Sequence, residues 1–113
     1  MKLSTPRSIG LSFVVSISYV LPVQAQNSNA ARDLAANCFT CHGTDGNSVQ
    51  GVPPSLAGRD PTELFQALKD FQSGKRPATI MHQQAKGYTD AQLQLIASYL
   101  AGLKPAPART PSR

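Results

Sequence analysis

What this chain has little of narrows it first. It has two cysteines in 113 residues, Cys38 and Cys41, too few for the disulfide framework that holds many small exported domains together. It has two methionines, and since Met1 is the initiator, Met81 is the one methionine in the body of the chain. No stretch alternates apolar and polar residues with a period of two, which argues against a sheet. No dense basic run occurs and arginines are not interleaved with aromatics, so the formal net charge of +5 is weak ground for nucleic acid and fits a docking surface better. There is no internal repeat, which leaves one domain.

The longest apolar run, residues 9–20, falls short of the roughly 18 to 20 residues needed to cross a bilayer, and serines interrupt it. Lys2 and Arg7 precede it, Pro22 ends it, and Val23-Gln24-Ala25 gives the small-x-small pattern of a cleavage site. Residues 1–25 therefore read as a signal peptide cut near Ala25, with export to the periplasm. The remaining body keeps nine of the eleven basic residues and all six acidic ones, for +3. A body this short buries a modest core, and such domains commonly need a disulfide, a metal or a large cofactor as a staple.

Helical periodicity predicts an all-α domain over residues 26–104 with three main helices. The first covers about residues 30–38, with Ala31, Leu34, Ala35 and Cys38 on one face. The second has Asp60 as its cap, Pro61 in its first position, Glu63 completing a capping box and Gly74 as its end; Leu64, Leu68 and Phe71 form its stripe. The third starts at Thr89 with Gln92 three residues on, presents Leu93, Ile96, Ala97 and Leu100, and stops at Gly102 and Pro105. Two loops join them, residues 43–58 and 75–88, and loops of that length in a small domain are usually functional. Residues 105–113 are Pro-rich, lack large apolar residues and read as a disordered tail.

The sequence Cys38-Phe39-Thr40-Cys41-His42 matches the attachment pattern of a c-type haem. At i, i+3 and i+4 of one helical turn, two thiols and an imidazole leave the backbone on the same side. The thiols can then bond the haem while His42 reaches its iron. A thioredoxin-like pair would need a preceding strand, a zinc site would need further ligands beyond His42 and His82, and a disulfide between residues three apart in a helix would be strained. Met81, in the loop before the last helix, is the expected second axial ligand, with His82 beside it as the alternative; a Met–His pair raises the reduction potential. No catalytic acid, base or open metal position is called for. Lys75, Arg76 and Lys86 can form part of a docking rim or simply a solvated face.

With Pro54-Ser55-Leu56-Ala57-Gly58 following the motif, residues 30–103 resemble class I cytochrome c. The resemblance implies a small fold around one covalent haem c, and a carbonyl at Pro54 that accepts the Nδ1 proton of His42 and raises its basicity. Gly74-Lys75-Arg76-Pro77-Ala78-Thr79-Ile80-Met81 and Ala85-Lys86-Gly87-Tyr88-Thr89-Asp90 further resemble the ligand loop of the cytochrome subunit of flavocytochrome c sulfide dehydrogenase, with a departure at His82-Gln83-Gln84. That family implies a partner flavoprotein carrying FAD that oxidises sulfide and passes electrons to the haem. A free-standing carrier to an oxidase or reductase is the alternative. A haem enzyme or gas sensor with an open sixth position is a third reading, opposed by the early position of the motif and by Met81.

Overall fold

The computed structural model describes residues 24–107. The proposed signal peptide lies almost wholly outside the described residues, as do the last six residues of the tail. Four helices follow one another: α1 (Gln24–His42), α2 (Pro61–Ser73), α3 (Met81–Lys86) and α4 (Asp90–Gly102), with a single 3-10 turn at Thr44–Gly46. Among the described residues there is no strand, and no helix is long and apolar enough to cross a membrane.

Both well-delimited helices begin where their sequences predict, although the capping box expected in α2 is only half formed, since the Glu63 carboxylate pairs with Arg59. In α2 the Asp60 carboxylate accepts the Glu63 backbone N–H at 2.9 Å, satisfying one of the amides that a helix start leaves unpaired. Pro61, which has no N–H to lose, takes the first position, and Gly74 ends the helix in the left-handed conformation at φ 79°. In α4 the capping box is complete: Thr89 Oγ1 accepts the Gln92 N–H at 3.3 Å, and Gln92 Oε1 accepts the Thr89 N–H at 2.9 Å.

Helix α4 is the centre of the domain. Its face of Leu93, Ile96, Ala97 and Leu100 is almost fully buried and packs between α1 and α2, while α3 rests on α2. Ala35 of α1 and Leu64 of α2 close the core, and Leu34, Cys38, Phe39, Leu56, Phe65, Leu68, Tyr88 and Tyr99 surround it half-buried. The small side chains of Ala35 and Ala97, both at 0% exposure, permit the close approach of α1 to α4.

Three further features differ from the sequence reading. Helix α1 runs on through His42, because the attachment motif continues its last turn rather than following it. The expected loop 75–88 contains α3, a fourth helix without a side-chain cap at its start. The tail does not leave the domain at residue 105: Asn47 donates to the Lys104 carbonyl at 3.2 Å and accepts the Ala106 N–H at 2.6 Å.

Candidate functional site

Cys38, Cys41 and His42 occupy the final turn of α1, where Gly43 stops the helix. The Gly43 N–H donates to the Phe39 carbonyl at 3.1 Å, and its φ of 83° turns the chain sharply away. A side chain could not stand here, since a Cβ would lie 2.1 Å from the Asn47 carbonyl oxygen. The loop then folds back on the motif. The Gly46 carbonyl accepts from the N–H groups of Leu56, at 2.7 Å, and Ala57, at 3.1 Å; Ser55 Oγ accepts the Ser48 N–H at 2.9 Å. The Gly58 N–H donates to the Leu100 carbonyl at 3.0 Å, pinning the loop's far end to α4.

These bonds bring the Pro54 carbonyl to 2.7 Å from Nδ1 of His42. A carbonyl can only accept, so Nδ1 carries the proton and the lone pair of the neutral ring lies on Nε2. The ring is 7% exposed. Among the described residues Nε2 has no hydrogen-bond partner, and no buried polar side-chain atom is left unpartnered, so Nε2 is not sealed away. A neutral imidazole fixed through one nitrogen and open at the other is the state in which histidine binds a metal.

Both cysteines are free thiols, Cys41 exposed and Cys38 half-buried. Burial pushes the Cys38 thiol above its ordinary range, with a backbone hydrogen bond acting weakly the other way. No group of three or more His, Cys, Asp or Glu side chains among the described residues is arranged to hold a bare metal ion, which leaves the zinc reading without its ligand set. Two free thiols and a committed histidine on one turn fit a haem c: the thiols for thioether bonds, Nε2 for the iron.

Met81 comes from a separate element, as the first residue of α3, and is half-buried. His82, half-buried beside it, lines a surface groove with Phe71, Arg76 and Lys86. The Arg76 guanidinium stacks on the Phe71 ring, 4.9 Å from its centroid, and Lys75 lies 3.6 Å from Asp70.

Sequence reasoning missed the residues that fix α3. Gln72 Nε2 donates to the Tyr88 carbonyl at 2.8 Å and to the Ala85 carbonyl at 3.3 Å. Lys69 Nζ donates to Gln72 Oε1 at 2.9 Å and to Asp90 at 2.5 Å. The Tyr88 hydroxyl accepts from Asn37, next to Cys38, at 3.2 Å. A signal was present: Gln72 continues the row Leu64, Leu68 at four-residue spacing, a polar residue on an apolar face.

Residues 25–100 match the family model described as Cytochrome C oxidase, cbb3-type, subunit III. The chain is 47% identical over 70 residues to the cytochrome subunit of sulfide dehydrogenase of Chlorobaculum tepidum, covering 62% of this chain and 63% of that one. It is 38% identical over 87 residues to the thiosulfate dehydrogenase electron acceptor of Thiomonas intermedia, covering 74% of this chain and 40% of that one. Both matches span less than two thirds of the relative. A solved structure of cytochrome c4 from Acidithiobacillus ferrooxidans superposes with a TM-score of 0.61 at 33% identity, over 70% of this chain and 51% of that one. The match over most of its length, joined to this fold, shows that the chain belongs to the cytochrome c family, as a class I c-type cytochrome.

Proposed function

We propose that the chain is a one-electron carrier holding a single haem c through Cys38 and Cys41, with His42 and Met81 as the axial ligands. The observation that supports this reading is the 2.7 Å contact of His42 Nδ1 with the Pro54 carbonyl, which leaves Nε2 as the ring nitrogen able to bind a metal, on the turn that also bears two free thiols. When bound, the haem supplies a one-electron iron couple.

The chain's own residues do the rest. The Pro54 carbonyl orients the His42 ring and fixes which nitrogen carries the proton. Met81 is favoured over His82 because neighbours on a helix point about 100° apart, and His82 already faces the groove of Phe71 and Lys86. A thioether in the sixth position raises the potential relative to a second imidazole. Cys38 packs against the core that holds Ile96, Ala97 and Leu100 of α4.

The donor in this reading is a flavoprotein that carries FAD and oxidises sulfide, with the chain as its cytochrome subunit in the periplasm after loss of residues 1–25. The 47% identity to a protein of that name supports it. The relative named as an electron acceptor supports a second reading, a free-standing carrier. Purification from the native source separates the two. The subunit reading expects a flavin-containing protein to copurify, and sulfide to reduce the haem only when that protein is present. A flavin-free monomer contradicts it and leaves the carrier.

A further inference from the structure

Helix α3 is too short to stand on its own. It has six residues, no side-chain cap on Ile80 and no acidic residue in its first turn, and helices shorter than about 12 residues are marginal in water without tertiary support. The segment before it, residues 75–80, is irregular. Its position must therefore come from outside. Ala85, at 1% exposure, supplies packing, and the directional contacts come from Gln72 on α2, a helix capped at both ends.

The orientation of the Gln72 amide is forced. Its oxygen faces the Lys69 ammonium, which can only donate, and its nitrogen faces two carbonyls, which can only accept. A flip would oppose donor to donor and acceptor to acceptors. Asp90 holds Lys69 from the start of α4, and Asn37 holds the Tyr88 hydroxyl from the end of α1. One half-buried amide thus joins α2 to the end of α3 and to the turn that enters α4, and Tyr88 carries that link to the residue before Cys38.

We propose that Gln72 is a positioning residue for the axial ligand: by fixing α3 against α2 it holds Met81 on the iron. This rests on the assignment of Met81 made above. A ligand that binds only the open form is weakened by the fraction of protein that is open. Exogenous imidazole therefore reports how often Met81 lets go.

The test uses the intact haem-loaded protein and two variants, Q72M, which keeps the volume and loses all the hydrogen bonds, and Q72E, which keeps the Lys69 contact and loses the donors. Both are expected to bind imidazole about tenfold more tightly in the ferric state, the order that one or two neutral hydrogen bonds supply. The far-red band of methionine-to-iron ligation should fade at lower temperature than in the wild type. Exchange of the α3 amides should quicken while that of the α2 amides stays unchanged, a readout independent of the haem. If the wild type shows the far-red band and both variants bind imidazole as it does, the role of Gln72 is overturned and Met81 stands. A wild type that lacks the band overturns the Met81 assignment, and this proposal with it.

Discussion

Nδ1 of His42 and the carbonyl oxygen of Pro54 meet at 2.7 Å although they lie 12 positions apart in the sequence. That contact decides which nitrogen of the ring can bind a metal, and its acceptor is placed by the fold of the loop. The turn at Gly43 and the two N–H groups gathered on the Gly46 carbonyl bring the chain back to its own helix end.

Gly43 and Gly74 make a controlled pair. Both have φ near 80°, at 83° and 79°, but a Cβ at Gly43 collides with the Asn47 backbone while one at Gly74 meets nothing within 4 Å. Gly74→Ala is expected to cost about 1 kcal/mol from backbone strain alone. Gly43→Ala should cost at least about twice as much and displace Pro54 from His42. Thermal unfolding of the two variants measures the difference, and equal losses would mean that the Gly43 turn relaxes freely.

The core centred on α4 predicts a sharp contrast in side-chain truncation. Leu93 is fully buried, so Leu93→Ala should destabilise the domain by about 2 to 5 kcal/mol. Val52 is 86% exposed, and Val52→Ala should stay within about 0.5 kcal/mol of wild type. Chemical denaturation with an unchanged m-value checks both.

The cap of α4 can be tested alone. Thr89→Ala removes the acceptor for the Gln92 N–H and is expected to cost about 1 kcal/mol. Thr89→Ser keeps the hydroxyl and should restore most of the loss in the same unfolding assay.

The free thiols should differ in the haem-free protein. Cys41 is exposed, whereas burial raises the Cys38 thiol, so less of it is thiolate at any given pH. Alkylation followed by peptide mass spectrometry is expected to modify Cys41 first. The Cys38 rate should continue to climb at alkaline pH. Equal rates at neutral pH would contradict the burial of Cys38.

Much of this was legible in the sequence because its signals are local. Asp60, Pro61 and Gly74 mark both ends of α2, and Thr89 with Gln92 the start of α4, within the residues that form them, and the structure places those helix ends there. The core positions of α4 follow from their spacing. Helix α3 was not legible: it lacks a capping residue and buries one side chain, Ala85, so what stabilises it lies on α2. The hold of Asn47 on residues 104 and 106 was hidden for the same reason, since it joins positions 57 and 59 residues apart. Composition read the tail as free, and one long-range side chain ties down its start.

The attachment of a haem to the last turn of α1 is open to direct measurement. The protein, produced with the machinery that matures c-type cytochromes, is denatured, extracted with acid and solvent, and digested with trypsin. Residues 33–59 form one tryptic peptide that contains Cys38, Cys41 and His42. That peptide is expected to carry the mass of one haem and to keep its absorbance, and Cys38→Ser with Cys41→Ser should abolish both. A haem that extracts completely from the wild type, leaving the peptide at its unmodified mass, would contradict covalent attachment at this site.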